Sequence, residues 1–191
     1  MKKINPEILL EPIQALQKLM EISGCKWTVI GGIASSLLGK PRFTADVDAV
    51  ILIELEEIPK IIKNAAKVGI KPRIRDIESF ARKNRVILLQ HNNSGINLDL
   101  SIGLLPFEIE AVENSKKRKV GKIAINLPTV EDLIIFKAVA SRQKDLLDID
   151  ELVNTNKQID KKKILRILKE FADILDKPEI LIETEKILHK K

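Results

Sequence analysis

Tyrosine does not occur in this 191-residue chain, and aromatic residues of all kinds make up 3% of it. Stacking of single-stranded bases on aromatic faces is therefore not expected as its main binding device. Cys25 is the sole cysteine, which rules out an intramolecular disulfide and a thiolate metal cluster. It stands just ahead of an apolar run and reads as a half-buried structural residue. The two histidines, His91 and His189, lie far apart, and neither has a metal-ligating companion at useful spacing. No apolar run approaches the length of a membrane span, and Met1 to Leu10 lacks the pattern of a signal peptide. The chain is expected to be cytoplasmic and to have no membrane partner. Tandem repeats and low-complexity linkers are also missing.

What the chain does contain is ordinary in amount and uneven in placement. Apolar residues make up 45% and charged residues 31%, the apolar part being mostly Ile, Leu, Val and Ala. That length and composition suit one domain, or one domain with a small helical appendage, with a real core. A net charge of +6 and a pI near 9.3 suit an anionic partner such as nucleotide or RNA. A lysine-rich surface with no such partner accounts for them nearly as well.

The stretch from Thr28 to Val50 carries the most chemistry. An apolar, β-branched run (Thr28, Val29, Ile30) stops at Gly31-Gly32. A short helical segment and a loop with Pro41 and Arg42 follow, and then Asp46-Val47-Asp48 leads into a second strand through Ile53. Side chains alternate along a strand, so Asp46 and Asp48 share one face. Two adjacent carboxylates repel unless a cation lies between them, and oxygen ligands at this spacing suit Mg²⁺. Paired glycines let backbone approach a bulky anion without a Cβ in the way. At a helix start, free N–H groups and the helix dipole face that anion. Ser35 and Ser36, in the first turns of the helix, add hydroxyl donors.

Asn5-Pro6 signals a helix start, and Ile8, Leu9, Ile13, Leu16, Leu19 and Met20 keep a helical period to Ser23-Gly24, with Pro12 as a kink or a split. Glu56 to Val68, closed by Gly69, predicts an amphipathic helix crossing between two strands of one sheet. Arg73 to Asn84 is polar and partly helical. Its Arg73, Arg75 and Arg82, with Lys83 and Arg85, either touch an anionic substrate or form a solvated face, the commoner fate of such charges. Val86 to Gln90 and Ile96 to Ile102 predict a β-hairpin. In its second strand Asn97, Asp99 and Ser101 fall on one face and Ile96, Leu98, Leu100 and Ile102 on the other. An unpaired carboxylate there is costly, so Asp99 is either a metal ligand or a residue at a sheet edge. Pro106 to Glu113 reads as a short helix. The run Ser115-Lys116-Lys117-Arg118-Lys119 leads into strand-like Val120 to Ile125, and its cations belong in solvent or against phosphate. Thr129 and Asp132 predict a capping box for a helix in which Lys137 interrupts an apolar face, either snorkelling or reaching a phosphate. Asp145 and Asp148 then lie on one side of a helix. From Asp150 onward the pattern is helical, broken at Pro178.

In order and spacing, Gly31-Gly32, the thirteen residues Ile33 to Ala45, and Asp46-x-Asp48 resemble the signature of the nucleotidyltransferase superfamily, the DNA polymerase β-like fold. The form Arg42-x-Thr44-x-Asp46-x-Asp48 is similar to its minimal, AbiEii-toxin-like branch, as is the later succession Lys137, Arg142, Lys144-Asp145-x-x-Asp148. The resemblance implies an α+β fold: a small mixed β-sheet core over residues 1–126 flanked by helices, and an α-helical part over residues 127–191 that completes a nucleotide cleft. It further implies Mg²⁺, two ions, on Asp46, Asp48 and Asp99, with Asp99 also taking the acceptor's proton. Gly31, Gly32, Ser35, Ser36, Arg42 and Thr44 would seat the nucleotide. Lys137 would neutralise the departing pyrophosphate, and Asp145 would hold the lysine or the local architecture.

The activity so implied is transfer of NMP from an NTP to an acceptor hydroxyl on RNA (a tRNA end is favoured), a protein or a small molecule, in a toxin role with an antitoxin partner. The alternative is a catalytically weak nucleotide-binding or partner-binding module of the same fold. A structural subunit using an apolar stripe over Ile164 to Leu188 is a third reading.

Overall fold

A computed structural model describes residues 9–121 and 123–190. The helix start expected at Asn5-Pro6 lies outside them. The chain divides into two compact units. One runs through Ile33 and resumes over Phe43–Pro128, and the other joins Ala34–Arg42 to the residues from Thr129 onward.

The first unit is built on a five-stranded mixed sheet. Its strands are β1 (Lys26–Ile30), β2 (Asp46–Leu52), β3 (Ile70–Pro72), β4 (Val86–His91) and β5 (Asn97–Ile102), in the order β1-β2-β5-β4-β3. β2 and β5 are parallel neighbours, and the other pairs are antiparallel. One face of the sheet is apolar but for His91 at the end of β4. Val47, Ala49, Ile51, Ile87, Leu89, Leu98, Leu100 and Ile102 are buried there, and the buried sides of α1 (Leu10–Ser23) and α3 (Ile58–Lys67) belong to the same core. Each buried Val, Leu or Ile among them contributes about 1.5–3 kcal/mol of transfer free energy. The other face carries half-buried polar residues: Asp46, Asp48, Gln90, Asn97, Asp99 and Ser101.

Several expectations are corrected in detail. Pro12 neither kinks nor splits α1, because it lies in the first turn, where a missing N–H costs nothing. The helix ends at Gly24, whose φ of 70° lets its N–H close back on Glu21 and Met20. The amphipathic helix starts at Ile58, after a 3₁₀ turn at Leu55–Glu57, and links β2 to β3. β3 was not expected. It is a three-residue edge strand ending at Pro72, too short to show a period. The segment after it is helical only over α4 (Ile77–Asn84). α5 (Pro106–Glu113) packs on β1 and β2.

The basic run is itself a strand. β6 (Lys116–Val120) pairs with β7 (Ile123–Leu127), and its four cations are exposed while Ile123, Ile125 and Leu127 are buried. A row of cations protects such a strand edge from pairing with another chain. The hairpin is tied to β1 by Asn126, whose carbonyl accepts from the Thr28 hydroxyl (3.2 Å) and whose amide donates to the Trp27 carbonyl (3.1 Å).

The second unit is helical: most of α2 (Gly31–Leu38, which begins in the first unit), α6 (Val130–Ala140), α7 (Gln143–Thr155), α8 (Lys161–Leu175) and α9 (Glu179–Leu188). Thr129 caps α6 by accepting from the Asp132 N–H at 3.1 Å. The Asp132 carboxylate itself turns to Lys163 at 2.8 Å. Of the C-terminal stripe, Ile164, Ile167, Leu168, Ala172, Ile180 and Leu188 are buried within the fold, while Ile174, Leu175 and Ile182 are exposed.

Candidate active site

The start of β2 brings Asp46 and Asp48 onto the half-buried face of the sheet. Asp48 pairs with Ile30 of β1 on one side and with Asp99 of β5 on the other, and Asp46 pairs with Asn97. Asp99 is therefore not at an edge. It lies on an inner strand, with β2 and β4 as neighbours. The Thr44 hydroxyl donates to the Asp46 carbonyl at 3.4 Å.

Gly31 is fixed by this arrangement twice over. Its φ of 65° is in the left-handed region, and a Cβ built on it would lie 1.9 Å from the Asp48 Oδ2. The sequence suggested that a glycine pair lets backbone approach an anion, and the anion at Gly31 is the protein's own carboxylate. Gly32 is buried in the first turn of α2.

Asp99 has a partner that its sequence neighbours do not reveal. Arg73, directly after β3, donates its backbone N–H to the Leu88 carbonyl (3.0 Å), and Leu88 pairs with Asp99. The Arg73 side chain thereby reaches Asp99, Nη2 donating to Oδ1 at 2.8 Å. Burial pushes the Asp99 carboxyl above the usual range. The charge of Arg73 draws it down without cancelling that effect, and the charge of Asp46 adds to the rise. The nearby cations have other tasks: Arg82 pairs with Glu78, and Arg85 with Glu108 and the Ile102 carbonyl. Among the described residues no three acidic, histidine or cysteine side chains stand close enough together to enclose an ion as they are.

The helical unit gathers a second set of charges. The Lys137 ammonium, 3% exposed for the residue, is neither snorkelling nor open to solvent. It lies between Asp145 (3.0 Å) and Asp148 (2.7 Å). Each aspartate also takes a two-pronged contact from an arginine. Arg42 donates to Asp148 through Nε (2.6 Å) and Nη2 (2.7 Å), and Arg142 donates to Asp145 through Nε (2.5 Å) and Nη2 (3.1 Å). Arg42-Asp148-Lys137-Asp145-Arg142 is thus one continuous chain of five charges. Burial works to raise both carboxyls. The hydrogen bonds from Arg142 and Lys137 to Asp145, and from Arg42 and Lys137 to Asp148, outweigh it together with those charges and hold both below the usual carboxylate range. Asp145 also accepts from the Arg142 backbone N–H at 3.3 Å, closing the first turn of α7.

Among the expected phosphate-seating hydroxyls, Ser36 closes the loop onto Arg42: its Oγ donates to the Arg42 carbonyl (3.1 Å) and accepts from the Arg42 N–H (3.3 Å). Ser35 is buried. Sequence reasoning gave Arg142 no role of its own and left Arg73 among solvated charges. Arg142 did carry a signal, three residues before Asp145, whereas Arg73 carried none.

The family model described as nucleotidyl transferase AbiEii toxin, type IV TA system, matches residues 14–189. Among solved structures the chain is similar to an antigenic nucleotidyltransferase-like protein from Paracoccidioides brasiliensis. Identity there is 13% and the TM-score 0.58, over 94% of this chain and 93% of that one. It is also similar to the lincomycin-bound lincosamide antibiotic adenylyltransferase LnuA (14%, TM-score 0.54, 81% and 100% covered). A third is JHP933 from Helicobacter pylori (12%, TM-score 0.51, 98% and 94% covered). At such identities these likenesses speak for the fold. No curated protein matches. With the family pattern running through nearly the whole chain, and the mixed sheet that it requires in place, this protein belongs to the AbiEii nucleotidyl transferase family and is a nucleotidyltransferase.

Proposed function

We propose that the chain transfers NMP from an NTP to a hydroxyl of RNA, a tRNA end being favoured, with Mg²⁺ as cofactor and as the toxin of a toxin–antitoxin pair. The observation that carries this reading is the register of Asp46, Asp48 and Asp99 on one half-buried face, with Gly31 cleared for the Asp48 carboxylate. The donor set is all oxygen and all anionic, which suits Mg²⁺. Bound there, the metal would supply charge stabilisation to an in-line displacement at phosphorus. Asp46, Asp48 and Asp99 would hold it, and Asp99 would also accept the proton of the attacking hydroxyl.

The helical unit is proposed to serve phosphate. Arg42 and Arg142 are the outer members of the five-charge chain, at 34% and 59% side-chain exposure. Lys137, already on two carboxylates, acts through them by fixing both arginines. An RNA acceptor is supported by the +6 net charge and by the exposed cations of β6. The family supports a paired antitoxin.

The test is incubation of purified protein with each labelled NTP, Mg²⁺ and total cellular RNA, beside Asp46→Ala/Asp48→Ala. Label should move to RNA, and the double variant should lower the rate by roughly three orders of magnitude or more, the scale of a lost metal. Expression of the intact chain without a partner should arrest growth, and the double variant should not. Label on protein or on a small molecule would move the acceptor. Mg²⁺-dependent NTP binding without transfer to any acceptor would leave a catalytically weak module.

A further inference from the structure

We infer that Arg73 is the resident counter-cation of the carboxylate row: its guanidinium holds Asp99 until a divalent ion takes its place, so that ion entry and guanidinium release are one exchange. The inference rests on the reading of Asp46, Asp48 and Asp99 as metal ligands, and it assigns a positioning role to a residue outside that trio. Three carboxylates on one face repel one another unless a cation is near. The chain supplies one from the far edge of the sheet, through the backbone bond that ties Arg73 to Leu88 opposite Asp99.

The form of the contact suits exchange. One nitrogen meets one oxygen at 2.8 Å, and the two side chains are 28% and 35% exposed. Pairs this open are weak and easily replaced. The contrast with Arg42 on Asp148 is direct, since that pair is two-pronged and its carboxylate is 5% exposed. Arg82 and Arg85 do not compete for the place, because Glu78 and Glu108 hold them. Arg73 therefore keeps Asp99 aimed and compensated when no ion is bound, and has to yield when one is.

The experiment measures Mn²⁺ alone, by the free-ion EPR signal, on metal-stripped full-length protein. Arg73→Gln should bind Mn²⁺ about two- to fivefold more tightly than the native chain, the range expected when a part-exposed competing charge is removed. Arg73→Lys, which keeps the charge but loses the planar fork, should shift less. The gain should vanish in Arg73→Gln/Asp99→Asn. Unchanged or weaker Mn²⁺ binding by Arg73→Gln, with binding still lost in Asp48→Asn, would overturn the exchange and leave the metal reading standing. No Mn²⁺ binding by any variant, the native chain included, would overturn both. Side-chain NMR of the native chain gives a check that needs no variant to fold. Saturating Mg²⁺ should speed rotation about the Arg73 Nε–Cζ bond, and an unchanged rate would count against release.

Discussion

The carboxylate row of the sheet unit and the five-charge chain of the helical unit are made from the same residue types in opposite proportion. On the sheet, Asp99 takes a single one-pronged contact from Arg73, and burial pushes it up in spite of that partner. Among the helices, two aspartates share three cations, and both are held down in spite of burial. Burial bears on both sets in the same direction, so what reverses the outcome is the count and geometry of partners. The row has negative charge in excess and suits a cation, and the chain has positive charge in excess and suits an anion.

The first way to break this comparison is to remove the centre of the matched set. Lys137→Met leaves two buried carboxylates with their arginines alone, and it should cost about 3–5 kcal/mol of stability in denaturant unfolding. Arg73→Gln, at the exposed pair, should cost no more than about 1 kcal/mol. Equal costs would mean that the two regions are not built differently. Next in size is Gly31→Ala, which brings a left-handed backbone and a Cβ 1.9 Å from the Asp48 Oδ2 into conflict. A loss of about 2 kcal/mol is expected, together with weaker Mn²⁺ binding as Asp48 is displaced. A fully stable Gly31→Ala protein with native ion affinity would show that the carboxylate does not depend on this glycine.

How far the sequence reaches differs between the regions for a physical reason. Several rules that act over a few residues read correctly: β1 over Lys26–Ile30, the alternation that turns Asp46 with Asp48 and, on another strand, Asn97 with Asp99 and Ser101, and Thr129 as a cap. The fold class was legible because these local patterns also carry the family resemblance. What stayed hidden depends on contacts between distant residues. Arg73 reaches Asp99 only because a three-residue strand, too short for periodicity, forms the sheet edge. Arg42 finds Asp148 across 106 positions of sequence. The basic run was expected as a solvated lead-in to a strand. It is the strand, because β7 supplies the buried face and leaves β6 the exposed one.

The smallest effect tests the sign of the contrast. Asp145 and Asp148 have depressed folded-state values. Their contribution to stability is complete above the unfolded carboxylate value of about 3.9 and is lost as pH falls through the folded values beneath it. Asp99 is raised, so its contribution runs the other way: present below about 3.9 and lost as pH rises through its folded value. In metal-free buffer, Asp99→Asn should therefore gain on the native chain in stability as pH rises from 3 toward neutrality. An asparagine at Asp145 or Asp148 should lose ground over the same change, because it forfeits a stabilised charge. Urea unfolding at a series of pH values separates the two. Parallel curves for both classes of variant would mean that the row and the chain respond to acid alike, and that the excess of charge assigned to each is not what governs its carboxylates.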